Sequence, residues 1–349
     1  MIETFVFRKH NYGLEKQVLE ANTEARIAGK KQAVFYITKP IQYINAHATG
    51  GIREENFNIL ILHGVFVGSD IFFQYIKAKS CIWDKIIFVD SLLDMYIIAN
   101  ALFLFDNMVE YWTTTDSGVV MGVLQRTLYK KGTKICLIEE GCGNYVLLKW
   151  NSVSAFAPVS LLKKIRQPLF EILNFLLGAG KSLGCCRWTD VVYLYYPDYP
   201  FLPCRGKNVR PMIRSACEQF KEMSFLFPLN DLPIVRENFV DKKILIIATE
   251  WNIYYRIEEE DFTKYDVVIL KLHPHIREKF SPEDKRIHVL QTFIPTEVLV
   301  LHWLENNEVT LRSKFSSSML YLHDSKAKLE FESGVPEFMK NIVDYVYSC

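Results

Sequence analysis

The chain has 349 residues, half of them hydrophobic and 14% aromatic, which supplies the cores of two ordinary domains and excludes a disordered type. Its 41 basic and 40 acidic residues leave a formal net charge of +1, without the basic excess of a dedicated nucleic-acid binder, so no nucleic-acid partner is expected. Eight scattered cysteines form no CxxC pair, which removes zinc ribbons and thioredoxin-type sites and fits a reducing compartment.

The first residues, MIETFVFRKHNYGLEKQ, lack the apolar core of a signal peptide, and no run of 18 apolar residues exists. A cytoplasmic chain without a membrane-spanning helix is expected. Residues 13–29 suit a helix. From residue 32 the pattern is regular: apolar, β-forming runs at 33–38, 58–64, 85–90, 109–115 and 134–141 alternate with helical stretches at 41–48, 71–78, 92–105 and 119–132. Short apolar strands alternating with helices predict a parallel sheet covered on both faces. Residues 160–184 mix leucine, isoleucine and phenylalanine with Lys163, Lys164, Arg166 and Lys181. They read as helices packed on the core, or as a basic amphipathic surface meeting anionic lipid at the inner face of a membrane. A further strand falls at 190–200, and 203–240 is turn-rich and polar with helical pieces.

A second alternating series follows, with strands at 242–250, 265–275, 286–292 and 308–313, helices at 296–306 and from 316, and a closing helix at 335–348. The expectation is an α/β protein of two doubly wound, Rossmann-like domains, 1–205 and 206–349, facing a cleft. Open α/β sheets bind ligands outside the carboxyl ends of their strands, so those ends hold the candidates.

Glu139-Glu140-Gly141-Cys142-Gly143 follows the run ICLI. Strand alternation sends the two acids to opposite faces. The glycines allow a sharp turn, and a carboxylate in a partly dry cleft has its pKa raised toward the range of a general base. Solvated acids in an ordinary turn are the plain alternative. Lys271-Leu272-His273-Pro274-His275 follows VVIL. Alternation puts Lys271 and His273 on one face, a pair that suits a phosphate. A metal reading of His273 and His275 lacks a third ligand. Pro295-Thr296-Glu297 opens a helix that Thr296 can cap. Glu297 can accept from ribose hydroxyls or simply favour the helix dipole. Ser316, Ser317 and Ser318 can bind an anion or cap a helix. GxGxxG, a complete GxxxxGK[ST], GxSxG and Asp-x-Asp are all missing, which argues against dinucleotide, P-loop, serine-hydrolase and metal-held nucleotide-sugar chemistry.

The order of these features, an acidic pair with glycine, Lys-x-His-Pro, Ile-Pro-x-Glu and a serine cluster, resembles the bacterial GT-B sialyltransferases. Within that group it is most similar to glycosyltransferase family 52, the lipooligosaccharide sialyltransferases, with capsule polysialyltransferases second. Thr38-Lys39-Pro40-Ile41-Gln42-Tyr43-Ile44-Asn45 is similar to the family's opening Thr-Pro-φ-Gln loop, with Lys39 as an extra residue.

The resemblance implies a metal-independent, inverting transfer of sialic acid from CMP-sialic acid, the donor substrate, to a hydroxyl of a bacterial surface glycan, with galactose as the expected acceptor. No cofactor is implied. One of Glu139 and Glu140, Glu139 preferred, would be the base. His273 would assist the departing phosphate, Lys271 and Pro274 would support the nucleotide, Glu297 and Pro295 would bind the ribose, and two of the three serines would hold the phosphate. Gly141 and Gly143 would line the donor, and Pro40, Gln42 and Asn45 the acceptor loop. Related enzymes pair as homodimers. Two other readings fit the same residues: a GT-B transferase using a different nucleotide sugar, and a non-catalytic glycan- or lipid-binding component of polysaccharide biosynthesis.

Overall fold

The computed structural model describes residues 12–89, 95–146, 172–180, 182–237, 239–250, 255–276, 278–314, 316–332 and 335–348. It divides into two compact units. The first comprises residues up to Thr38, Asn45–Gly64 and Ser80–Ile213; the second comprises Lys39–Ile44, Val65–Lys79 and everything from Arg214 onward.

The first unit is built on a parallel sheet of seven strands: β1 (Lys31–Ile37), β2 (Asn56–His63), β3 (Lys85–Val89), β4 (Met108–Thr113), β5 (Lys134–Ile138), β6 (Val191–Leu194) and β7 (Asn208–Pro211). Their order is β3-β2-β1-β4-β5-β6-β7, every pairing parallel. Strands β1, β2 and β5 are almost wholly buried, which is why they read as unbroken apolar runs rather than alternating ones. Helices α1 (Tyr12–Ile27), α4 (Met95–Phe103) and α5 (Val119–Lys130) contribute Val18, Ala21, Ile98, Leu102, Leu124 and Leu128 to a core with Val34, Ile59, Ile61, Tyr111 and Ile135 of the sheet. Between α1 and α4 in sequence lie α2 (Pro40–His47) and α3 (Ser69–Lys79).

The second unit holds a parallel sheet of five strands: β8 (Lys243–Ala248), β9 (Val267–Lys271), β10 (Ile287–Leu290), β11 (Glu308–Ser313) and β12 (Lys328–Phe331), in the order β10-β9-β8-β11-β12. Its helices include α6 (Ala216–Glu222), α7 (Pro233–Arg236), α8 (Glu259–Lys264), α9 (Thr296–Trp303), α10 (Ser318–Tyr321) and α11 (Glu337–Ser348).

Both sheets therefore run outward in both directions from their first strand, the doubly wound order in which the chain reverses direction beside that strand. The reversal lies between β1 and β4 in the first unit and between β8 and β11 in the second. The α/β class with two Rossmann-like parallel sheets is the expected one.

Two strands escape the sequence reading. β7 lies inside the stretch read as turns and helical pieces, and β12 falls after the serine helix. Both are four-residue edge strands with hardly a buried residue, so neither carries the apolar run that marked the others. Of the amphipathic stretch 160–184, residues 160–171 and Lys181 lie outside the described residues, and 172–177 is helical. No helix among the described residues is long and apolar enough to cross a membrane.

Candidate functional site

The site is described as two groups of residues, one on each sheet, each at the carboxyl edge where its strands end.

On the first sheet, β5 ends at Ile138 and the chain continues directly into Glu139 and Glu140. Glu139 is fully buried, whereas Glu140 is partly exposed. Glu139 Oε2 accepts the phenol of Tyr145 at 2.5 Å and the backbone amide of Tyr195 at 2.7 Å. Burial, then the neighbouring Glu139, pushes the Tyr145 phenol well above its ordinary pKa, so it stays a proton donor at any physiological pH. Asn45, also fully buried, braces the same point. Its Nδ2 donates to Glu139 O at 2.9 Å, and its Oδ1 accepts Tyr195 OH at 3.0 Å. The amide of Glu140 donates to Asn144 Oδ1 at 2.8 Å. Gly141 makes the turn at φ 140°, ψ −153°, a region essentially restricted to glycine. Gly143 sits in the short 3-10 turn that follows.

On the second sheet, β9 ends in Lys271, which is buried. Its Nζ donates to Thr292 O at 2.8 Å and Leu272 O at 2.9 Å. Burial pushes its pKa down to about 7, against the opposing pull of Glu297. Glu297, in the first turn of α9, is buried too, and its carboxyl is pushed up by that burial. Its Oε1 accepts Ser318 Oγ at 2.9 Å, and Ser318 Oγ accepts Ser316 Oγ at 3.0 Å. Glu297, Ser318 and Ser316 thus form one hydrogen-bonded chain, with Lys271 close enough for Glu297 to act on its charge.

His273 is half-buried, its amide donating to Thr249 Oγ1 at 3.0 Å just past the end of β8. Burial, with help from His275, Lys39 and Lys271, lowers its pKa to about 3. The amide of His275 donates to His273 Nδ1 at 3.3 Å, so the ring proton is assigned to Nε2. The two imidazoles stack at 5.2 Å, and His275 Nδ1 donates to Val65 O at 3.1 Å. Pro274 accepts the Val67 amide at 3.0 Å.

The three serines separate: Ser316 and Ser317 are partly exposed and Ser318 is buried. Thr296 does not cap α9. The cap position is Pro295, and Thr296 is the first helical residue, without a side-chain cap bond. The reason is local, because proline's fixed φ, here −57°, places the helix start one residue early. Pro40 begins α2, a position where its missing N–H costs nothing. Gln42 in the same helix is buried.

The sequence reading passed over Tyr145, Tyr195 and Thr249 as site residues. Tyr195 and Thr249 are the first residues beyond β6 and β8, where the strand-end rule was the available signal, and Tyr145 closes the turn after the acidic pair. What hid them was the lack of a charge. Among the described residues no group of three or more His, Cys, Asp or Glu stands where it can hold a metal ion.

No family model matches the chain, and no curated protein matches it. Among solved structures, the crystal structure of a UDP-N-acetylglucosamine 2-epimerase is similar, with a TM-score of 0.50 and 10% sequence identity, covering 90% of this chain and 81% of that one. That likeness shows the two-domain, GT-B-like fold. Membership in glycosyltransferase family 52 has no match behind it.

Proposed function

We propose that the chain is a metal-independent, inverting glycosyltransferase that moves sialic acid from CMP-sialic acid to a glycan hydroxyl. The observation that carries this reading is the cluster at the carboxyl edge of the second sheet. A neutral imidazole with its proton on Nε2, two partly exposed serines, Ser316 and Ser317, and the cation of Lys39 near His273 suit a nucleotide monophosphate leaving group. In the displacement, the acceptor oxygen bonds to the anomeric carbon as the carbon–oxygen bond to CMP breaks. The hydroxyl proton passes to a carboxylate, and CMP departs with its phosphate accepting from His273 Nε2. A histidine that stays neutral down to about pH 3 acts there as a hydrogen-bond donor rather than as an acid holding a proton in reserve.

Of the acidic pair, Glu140 is the partly exposed one and the better placed to receive a proton from an acceptor hydroxyl. Glu139 receives one only if Tyr145 and the Tyr195 amide release it. Lys271 ties the strand end to the backbone at Leu272 and Thr292, and Ser318 anchors the serine loop to Glu297. In this reading Ser316 and Ser317 are the phosphate pair.

The broader reading is an enzyme acting on nucleotide sugars. A structural neighbour whose name carries a UDP-sugar favours testing UDP beside CMP. CMP release from CMP-sialic acid, with thermal shifts by CMP, UDP and GDP, decides between them. Release of CMP that is lost in His273→Ala and Glu140→Ala is the expected result. A shift with UDP or GDP alone sinks the sialyl reading.

A further inference from the structure

Beyond the Tyr195 amide, the aromatic run after β6 has no part in the scheme above. Tyr195-Tyr196-Pro197-Asp198-Tyr199-Pro200-Phe201 leaves the carboxyl end of the strand that neighbours β5, with Ile138 registered against Tyr193. It is thus beside the acidic pair by topology, and it is tied there chemically. The Tyr195 amide donates to Glu139, and the Tyr196 amide donates to Tyr145 OH at 3.1 Å, the same phenol that donates to Glu139.

Two tandem turns, closed by Tyr199 N to Tyr196 O and Leu202 N to Tyr199 O, fold the run back on itself. The rings pack in series: Tyr145 lies 6.0 Å from both Tyr196 and Tyr199, and Tyr199 lies 5.7 Å from Phe201. The series runs from Tyr196 through Tyr145 and Tyr199 to Phe201, with its middle sealed and its two ends open to solvent. Tyr145 and Tyr199 are buried, Tyr196 is partly exposed, and Phe201 is 70% exposed. A benzyl ring left in water forgoes the gain of burial, and the exposed carboxylate of Asp198 stands in the same loop.

A pyranose ring presents this combination in mirror form, a contiguous C–H face flanked by hydroxyls. Resting on the reading of the acid pair as the base for an acceptor hydroxyl, we propose that Tyr196, Phe201 and Asp198 form the acceptor subsite. Phe201 stacks against the C–H face of a pyranose of the glycan, Tyr196, at the other end of the ring series, meets a neighbouring unit, and Asp198 accepts from the glycan's hydroxyls. The loop then positions that sugar by the same hydrogen bonds that hold Glu139.

The test is direct sugar binding, which needs no donor and no turnover. Saturation-transfer NMR with lactose, maltose and sialyllactose on the full chain should show binding of at least one sugar. Phe201→Ala should weaken that binding at least about five-fold, as loss of an aromatic stacking partner does, and Tyr196→Ala should weaken it less. Phe201→Trp should retain it. Phe201 is exposed, so its truncation leaves the core intact, and an unchanged melting curve checks this. No binding by the wild-type chain, or equal binding by wild type and Phe201→Ala, overturns the subsite. CMP release measured separately shows whether the transferase reading itself stands, so the two can fail independently.

Discussion

The carboxyl edges of the two sheets start from the same strand order and end in opposite chemistry. At the edge of the first sheet, a buried carboxyl is surrounded by neutral donors, the Tyr145 phenol and the Tyr195 amide. At the edge of the second, a buried lysine and a buried glutamate oppose each other, and backbone carbonyls and a serine hydroxyl take up their remaining valences. Neutral donors lower the cost of a buried negative group, whereas burial pushes Lys271 and Glu297 each toward its uncharged form. Topology decides where ligands can bind. The residues set at the strand ends decide which sign of charge is tolerated there.

The sharpest way to break this comparison is to remove its reactive members. His273→Ala and Glu140→Ala should each slow CMP release at least about 100-fold, the usual scale for losing a hydrogen-bond donor to developing charge in the first and a general base in the second. Equal rates in both variants and wild type would remove the two groups from the chemistry.

The next largest effect concerns the neutral-donor arrangement. Glu139→Ala orphans a buried phenol and a buried amide and should lower stability by about 3 kcal/mol, read from urea unfolding. Glu139→Gln, which can still accept, should cost less. Gly141→Ala forces a side chain into a region essentially closed to it and should cost about 2 kcal/mol in the same assay.

A pH experiment sharpens the other edge. Lys271 has a folded pKa of about 7 against roughly 10.4 when unfolded. Across that interval the unfolded chain binds the extra proton, so its contribution to stability is complete above the unfolded value and is lost as pH falls toward 7. Lys271→Met should flatten the rise in the urea midpoint between about pH 7 and pH 10. The smallest signal is spectroscopic. Ring nitrogen shifts should show His273 neutral and Nε2-protonated at pH 6, with no titration near 6.5, the ordinary histidine value.

Most of the fold was legible because buried parallel strands leave an unmistakable trace: KICLI, NILILH and KILIIA sit between turn signals at regular intervals. β7 and β12 left none, since an edge strand such as Asn-Val-Arg-Pro is held by its neighbour's hydrogen bonds and not by burial. The charged members of the candidate site were visible for a related reason. A glutamate or a lysine directly after an apolar run is conspicuous, and Glu139, Lys271 and His273 all stand there. Tyr145, Tyr195 and Thr249 were harder to assign, because a hydroxyl looks the same in sequence whether it braces a neighbouring group or faces water.

The order of residues by itself determined the α/β class, the two series of strands and the strand ends where charged side chains gather, because burial and period are properties of neighbouring residues. It did not determine which acid of the pair is sealed, which two serines are accessible, or which nitrogen of His273 carries the proton. Those depend on partners far away in sequence, such as Tyr195 reaching Glu139 from 56 residues on, and are decided only when the strands lie side by side.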